Sequence, residues 1–209
     1  MEAMIHKLIT QGDAKLLVWE VSESIETLQD QLNLTESDQT AFKKIASDKR
    51  KLEFLGLRVA LKTLLGREIQ IQYNADRKPC LSDKSYHISL SHSNKWIAVM
   101  AHPTLKVGID IECPTNKIQK LYTRFLSETE QLELSNGKDI RQLLLAWSAK
   151  EALYKIIGKE AIDFATQLRI FSFDVKLSGE FKAQHIPSKS FYQLYYQQST
   201  EYTLVYCMQ

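Results

Sequence analysis

The chain has 209 residues, of which 44% are hydrophobic and 25% are charged, and its formal net charge is only +2. This composition is typical of a globular protein with a real core, and it creates no overall field that favours nucleic acid. No apolar run approaches the length of a membrane span, and the N-terminus lacks the features of a signal peptide. We therefore expect a cytoplasmic protein that binds neither nucleic acid nor membrane.

The first half of the chain alternates between strand and helix patterns. Thr35 resembles an N-cap, and Gly66 is a stop signal for a long helix. Asn74–Pro79 predicts a loop, and Ser91–Asn94 predicts a hairpin-type connection. The predicted elements are strands at Lys15–Val21, Ile69–Tyr73, Tyr86–Leu90 and Lys95–Ala101, a helix opening at Thr35, and a helix at about Lys49–Leu65.

The second half begins near His102 with another strand and again continues into helices. Asn136–Asp139 predicts a turn whose last residue caps a long helix, and Gly158 ends that helix. The predicted elements are a strand at Leu105–Ile111, two short helical segments after Pro114, a helix at Ile140–Ile157, and strands at Leu168–Lys176, Phe191–Tyr196 and Tyr202–Cys207. The pattern indicates an α/β (α+β) protein with halves at 1–102 and 103–209, without an obvious residue-level repeat or a long linker.

The number and spacing of the cysteines argue against a disulfide-bonded or zinc-binding protein. Cys80, Cys113 and Cys207 form no CxxC pair, and their number is odd. A disulfide framework or a zinc site is therefore not expected, and a reducing compartment fits the chain.

The segment Val107–Glu112 alternates between apolar residues and polar or small ones, which is the period of a strand. Asp110 and Glu112 lie two residues apart, so they face the same side and repel each other unless a cation lies between them. Oxygen ligands suit a hard cation such as magnesium, which also keeps positions for phosphate and water. The alternative is an edge strand with a solvated acidic face.

The segment Trp147–Lys155 predicts a helix with functional side chains on one stripe. Trp147, Glu151 and Lys155 follow one another at i, i+4 and i+8, so they share one side. An acid and a base held there could bind a metal and neutralise a leaving phosphate. An ordinary surface ion pair between Glu151 and Lys155 is the alternative. Trp147 is better explained as a packing residue that fixes this helix.

Basic residues cluster in the first half of the chain. Such a cluster suits a phosphate-bearing ligand or an acidic partner protein, and a solvated helix face is the alternative. The residues are Lys43, Lys44, Lys49, Arg50, Lys51, Arg58 and Lys62.

Four segments in order resemble the motifs of the 4′-phosphopantetheinyl transferases, most closely the larger single-chain class that activates carrier domains such as those of surfactin synthetase. They are Arg77–Pro79, Ser91–Ser93, Gly108–Glu112 and Trp147–Lys155. They match a Lys-Pro loop, a Ser-His-Ser turn, a Gly-Ile-Asp-Ile-Glu strand and a Trp-x-x-Lys-Glu-x-x-x-Lys helix, over roughly half the chain. The resemblance implies a monomer folded as a pseudo-dimer of two similar α/β halves, with coenzyme A in the cleft between them.

The resemblance also implies an activity. The phosphopantetheine arm of coenzyme A is transferred to a serine hydroxyl of an apo acyl, peptidyl or aryl carrier protein, and adenosine 3′,5′-bisphosphate is released. By analogy, Asp110, Glu112 and Glu151 hold a magnesium ion. Glu151, or Glu130 through a water, is the candidate general base. Glu130 follows Ser127 by three residues, however, so a capping box alone could explain it.

The remaining implied roles concern coenzyme A. Lys155 lies by the pyrophosphate and assists the leaving group, and Lys150 is a further candidate for a phosphate contact. Residues 103–209 form the magnesium and catalytic side, and 1–102 the side of the 3′-phosphate and adenine. Candidates in the first half are Arg50, Lys51, Arg58, Lys78, Ser91 and His92, with His92 on the 3′-phosphate; without the family, His92 could be a polar surface residue.

Two other functions stay open at this point. One is a different magnesium enzyme that cleaves a pyrophosphate, although the absence of a Gly-rich Walker loop argues against its P-loop version. The other is a non-catalytic module that binds coenzyme A or a carrier protein. The intact set of Asp110, Glu112, Glu151 and Lys155 argues against that module, since binding alone would not require it.

Overall fold

The computed structural model describes residues 5–134, 138–158 and 161–209. Two compact units divide the chain, Met1–Thr104 (the N-terminal unit) and Leu105–Gln209 (the C-terminal unit). The predicted turn at Asn136–Asp139 lies partly outside the described residues, which include neither Asn136 nor Gly137. Within the described ranges, no helix combines the length and the apolar character that crossing a membrane requires.

The N-terminal unit is an antiparallel sheet covered by helices. Its main sheet has the strand order β1-β2-β6-β5, and β3 and β4 form a separate ribbon. Leu55 and Leu61 of the longest helix pack against Trp19 and Val99 of the sheet. The elements are β1 (Ile5–Gln11), β2 (Ala14–Glu20), α1 (Ile25–Asp30), α2 (Glu36–Lys43), α3 (Asp48–Leu65), β3 (Ile71–Tyr73), β4 (Pro79–Leu81), β5 (His87–Ser93) and β6 (Trp96–His102).

The C-terminal unit is a second antiparallel sheet with the strand order β7-β11-β10-β9-β8. Its core joins apolar residues of the long helix, such as Leu145 and Leu153, to the sheet residues Leu194 and Val205. The elements are β7 (Val107–Glu112), a 3-10 helix (Asn116–Lys120), α4 (Tyr122–Phe125), α5 (Glu128–Glu133), α6 (Ile140–Ile157), α7 (Phe164–Gln167), β8 (Leu168–Ile170), β9 (Ser178–His185), β10 (Ser190–Gln198) and β11 (Thr203–Met208).

Capping residues fix where the two long helices begin or end. Asp139 accepts hydrogen bonds from the first backbone N–H groups of α6, which confirms its predicted role as N-cap. Gly66 ends α3 and Gly158 ends α6, each in the left-handed conformation (φ 66° and 69°) that a glycine adopts without steric cost. Thr35 likewise caps α2 by accepting from Asp38 N, as predicted.

The predicted connection between β5 and β6 was too long. β5 continues through Ser93, so Ser91 and His92 lie in a strand rather than in a turn. The turn consists of Asn94 and Lys95 alone, and Asn94 has the positive φ of 52° that two-residue hairpins use.

Several other boundaries differ from the predictions. Within the described ranges, three short helical segments follow β7 instead of two, and the predicted strand Leu168–Lys176 ends at Ile170. The sequence analysis missed β1, α1, β4, α7 and β9.

The two units share the order of elements that the sequence patterns indicated for both halves, a strand, then helices, then strands. In the N-terminal unit, β2 leads through α1 and α2 to α3, and β6 returns antiparallel to β2. In the C-terminal unit, β7 leads through short helices to α6, and β11 returns antiparallel to β7. Both long helices have 18 residues, and their terminal glycines, Gly66 and Gly158, are 92 positions apart.

No disulfide joins Cys80, Cys113 or Cys207, all of which lie within the described residues. Cys207 lies within the core of the C-terminal unit, and this burial raises the pKa of its thiol to about 12. A thiol held in its neutral form is a poor nucleophile, so Cys207 has a structural role in the core.

Candidate active site

A glycine brings β7 into direct contact with α6. A Cβ atom placed on Gly108 would lie 2.1 Å from the backbone oxygen of Ala152 and 2.9 Å from its carbonyl carbon. Only a residue without a side chain therefore allows the strand and the helix to pack at this distance. The acidic residues of β7 consequently face the side of α6 that carries Glu151 and Lys155.

Asp110 occupies the centre of this contact. Its side chain is buried, with the residue 4% exposed, which contradicts the alternative of a solvated acidic face at this position. Asp110 Oδ1 accepts a hydrogen bond of 2.9 Å from Lys155 Nζ, and the same ammonium donates to the carbonyl oxygen of Ile109 at 2.8 Å. The cation of α6 is thus anchored to both the side chain and the backbone of β7.

Trp147 fixes the second carboxylate of the strand. Its indole Nε1 donates to Glu112 Oε1 at 3.1 Å. Its ring packs edge-on against Phe125, at 5.2 Å between centroids, and against Phe164 at 5.7 Å. A neutral donor held by two aromatic neighbours orients Glu112 without cancelling its charge.

Glu151 completes a cluster that we call the acidic corner, formed by Asp110, Glu112, Glu151 and Lys155. Burial, followed by the negative charge of Asp110, raises the pKa of Glu151 to about 7. The charge of Lys155 opposes this rise, whereas that of Glu112 adds to it. The carboxylates therefore lie close enough to perturb one another.

The donor atoms of the acidic corner suit a hard cation, whereas their arrangement does not form a metal site. Its donors are carboxylate oxygens, the ligands that magnesium prefers, and burial followed by the charge of Asp110 raises the pKa of Glu151. Among the described residues, no three histidine, cysteine or acidic side chains are arranged as a metal site. In this arrangement the ammonium of Lys155 is bonded to Asp110 Oδ1.

Glu130 and Lys150 lie outside the corner. Both are 0% exposed, and Lys150 Nζ donates to Glu130 Oε2 at 2.7 Å. Burial lowers the pKa of Lys150 to about 8, and the charge of Glu130 opposes this shift. Ser127 and Glu130 form the capping box that the sequence analysis considered as an alternative. The geometry favours this structural role over a catalytic one for Glu130.

The predicted phosphate ligands of the N-terminal unit have different surroundings. Arg58 is 5% exposed, and its guanidinium pairs with Asp38 Oδ1 at 2.7 Å. Lys51 is partly exposed and pairs with Asp48 at 3.3 Å. Ser91 is buried in β5, and Lys78 is half-buried in the loop before Pro79.

Glu53 is a residue of this region that the sequence analysis did not single out. It is 7% exposed, and its carboxylate accepts a 3.0 Å hydrogen bond from Arg50 Nη1. His92 Nδ1 lies 3.5 Å from the other oxygen of Glu53. The carboxylate thus brings together two predicted phosphate ligands, Arg50 and His92. The i, i+3 spacing of Arg50 and Glu53 on α3 was the available signal.

Comparison with known families matches residues 106–207 to the ACPS family, the 4′-phosphopantetheinyl transferase superfamily. A curated protein from Thraustochytrium sp., called phosphopantetheinyl transferase, is 28% identical over 126 residues. That alignment covers 51% of this chain and 43% of the relative, so the chain matches less than half the length of this curated protein. The matched family segment includes β7 and α6, with the whole acidic corner. Residues 106–207, slightly less than half of the chain, are therefore similar to the 4′-phosphopantetheinyl transferase superfamily.

Proposed function

We propose that the protein transfers the 4′-phosphopantetheine arm of coenzyme A to a serine of an apo acyl or peptidyl carrier protein, in a magnesium-dependent reaction. The observation that carries the proposal is the acidic corner of Asp110, Glu112, Glu151 and Lys155, located within the segment that matches the family. The name of the Thraustochytrium relative supports the same activity.

In the proposed reaction, one bond to phosphorus forms and one breaks. The serine oxygen of the carrier forms a bond to the β-phosphorus of coenzyme A. The bond between this phosphorus and the bridging oxygen breaks, and adenosine 3′,5′-bisphosphate leaves with that oxygen. The serine proton goes to a carboxylate or to water. Catalysis therefore requires in-line positioning and neutralisation of charge on the phosphate oxygens.

The side chains of the corner divide these tasks. Asp110, Glu112 and Glu151 would hold magnesium, which supplies Lewis-acid stabilisation of the phosphate charge. Glu151, whose raised pKa of about 7 lies near neutral pH, is the candidate general base. Lys155 provides the ammonium that faces the leaving phosphate. The other candidate base, Glu130, already accepts hydrogen bonds at both carboxylate oxygens.

The N-terminal unit is proposed to bind the 3′-phosphate and the adenine of coenzyme A. Arg50, Lys51, Lys78, Ser91 and His92 are the candidate ligands. The shared contact of Arg50 and His92 with Glu53 supports a common site for these two residues. Arginine offers a planar fork for phosphate oxygens, whereas lysine offers a point charge.

We assign the chain to the larger, surfactin-synthetase-activating class, with two similar halves in one chain. The common order of elements in the two units, each with an 18-residue helix that ends at a left-handed glycine, supports this assignment. The monomeric state, the cytoplasmic location and the absence of nucleic-acid and membrane partners stay predictions.

A mass measurement on the carrier tests the proposed function. The protein is incubated with coenzyme A, magnesium and an apo carrier protein, and the carrier is analysed by intact mass spectrometry. We expect one phosphopantetheine on the carrier serine and loss of labelling when magnesium is chelated. Breakdown of coenzyme A without labelling would instead indicate another pyrophosphate-cleaving enzyme, and binding without either reaction would indicate a non-catalytic module.

Replacing Lys155 by alanine separates its chemical role from binding. Because the ammonium is proposed to neutralise the leaving phosphate, kcat should fall about a hundredfold. The KM for coenzyme A should change less than about threefold. Steady-state labelling kinetics measure both values.

Lys182→Ala provides the control, because Lys182 is an exposed lysine of β9 outside the corner. It should label carrier at the normal rate. A Lys155→Ala enzyme with normal kcat and a strongly raised KM would show that Lys155 is a binding residue.

A further inference from the structure

Among the residues that the structure describes, two buried cation–carboxylate pairs have the same separation along the chain. In the N-terminal unit Arg58 pairs with Asp38, and in the C-terminal unit Lys150 pairs with Glu130. The partners are 20 residues apart in both pairs. Each member of the second pair also lies 92 positions after its counterpart in the first, the same interval that separates Gly66 from Gly158.

The two pairs also occupy equivalent positions in their helices. Asp38 and Glu130 each follow an N-cap hydroxyl residue, Thr35 and Ser127, by three positions and bond to it. Arg58 and Lys150 each lie in the long helix, eight residues before its terminal glycine. Each pair therefore ties the first turn of a short helix to the same point on a long one. The residue types differ between the units, whereas charge, capping and position are kept.

The surroundings of Lys150 leave no donor for a ligand. Its ammonium has three N–H groups, and its Nζ has three acceptors: Glu130 Oε2 at 2.7 Å, the Phe164 carbonyl at 2.8 Å and the Leu168 carbonyl at 2.7 Å. The other oxygen of Glu130 accepts from Ile170 N at 2.7 Å. The pair thus connects α5, α6, α7 and β8. A contact between Lys150 and a phosphate would break at least one of these bonds in a site that is 0% exposed.

The helix geometry links this pair to the acidic corner. Lys150 and Glu151 are consecutive residues of α6, so their side chains leave the helix about 100° apart. Fixing Lys150 against α5 and β8 therefore fixes the rotation of α6 about its axis. That rotation determines whether Glu151 and Lys155 face Asp110 in β7.

We propose that the Glu130–Lys150 pair is a positioning device that sets the rotation of α6, and that neither side chain contacts substrate. The Asp38–Arg58 pair has the same role for α3, which removes Arg58 from the candidate phosphate ligands. This inference rests on the proposed function for its activity readout, and its stability readout is independent of that function.

The test is a double-mutant cycle on the C-terminal pair. The variants are Glu130→Gln, Lys150→Met and the double variant, and glutamine is chosen because it retains the capping box. Each single variant leaves one buried charge without its partner, so its Tm should fall by roughly 10 °C. The double variant removes both charges and should regain at least about half of that loss.

Labelling kinetics distinguish positioning from a merely structural role. In the double variant, measured below its Tm, kcat should fall about tenfold or more while the KM for coenzyme A changes less than about threefold. Lost positioning of Glu151 should also raise the magnesium concentration for half-maximal rate. Unchanged kcat per folded molecule would contradict positioning. Lys150→Met with a normal Tm and a tenfold higher KM would establish a phosphate contact.

The N-terminal pair gives a second arm for the case in which the single variants do not fold. The coenzyme A affinity of Asp38→Asn/Arg58→Met, measured by calorimetry, should stay within about threefold of the normal value. Neutralising Asp38 compensates for the lost charge of Arg58 if the pair is structural, but it cannot replace a lost phosphate ligand. A tenfold loss of affinity would overturn the assignment of Arg58. If the unaltered protein labels no carrier, the proposed function fails, whereas the Tm values of the C-terminal cycle still decide whether the charges are coupled.

Discussion

Asp110→Ala and Glu151→Ala should each lower carrier labelling by a factor of about a thousand or more, to the level of the background reaction. Each substitution removes one carboxylate from the acidic corner and therefore one proposed magnesium ligand. Asp110→Ala also removes the acceptor of the 2.9 Å hydrogen bond from Lys155. The measurement is the rate of phosphopantetheine incorporation at saturating coenzyme A and magnesium.

The control is Glu180→Ala, since Glu180 is an exposed carboxylate of β9 in the same unit. It should leave the labelling rate unchanged. Circular dichroism and thermal melting must show that the Asp110 and Glu151 variants remain folded. Normal turnover by either folded variant would remove the metal assignment.

The second large effect concerns the stability of the C-terminal unit. Gly108→Ala should lower the free energy of unfolding by at least about 3 kcal/mol, because the added Cβ atom collides with the backbone of Ala152. A backbone carbonyl inside a helix cannot move aside as a side chain can. β7 and α6 must therefore separate, and labelling per folded molecule should fall as Asp110 leaves Lys155. Urea unfolding and labelling kinetics measure the two effects.

Gly56→Ala is the matched control for this prediction. A Cβ atom on Gly56 would approach the Cδ1 atom of Ile97 at 2.4 Å, which is the flexible end of a side chain rather than backbone. The gain in helix propensity, about 1 kcal/mol, offsets the repacking of Ile97. Its stability should therefore change by less than about 1 kcal/mol. Equal losses in the Gly56 and Gly108 variants would contradict the close strand–helix contact as the cause.

Elements with strong local signals were predicted well from the sequence. The limits of α6 were correct because Asp139 and Gly158 are local cap signals at the two ends of a periodic apolar segment. The hairpin was predicted too short in its first strand, since Ser91 and His92 have polar side chains that suggest a turn. Their place in β5 is decided by pairing with β6, which is a tertiary contact.

The candidate site, like the fold, was predicted from the sequence only in part. The strand period placed Asp110 and Glu112 on one face, whereas their proximity to Glu151 was implied only by the resemblance to the family. The burial of Lys150 could not be predicted, since its partners come from α5, α7 and β8, which are distant in the sequence. The correspondence between the two buried pairs was not detected because the units use different residues for the same contact, arginine with aspartate and lysine with glutamate.

The ammonium of Lys155 acts as a counter-ion that belongs to the protein itself. Three carboxylates and one ammonium form the acidic corner, so the four side chains together have a charge of minus two when Glu151 is ionised. A monovalent cation would neutralise half of this charge, whereas a divalent one would neutralise all of it. The charge balance of the corner thus matches the valence of the proposed magnesium ion.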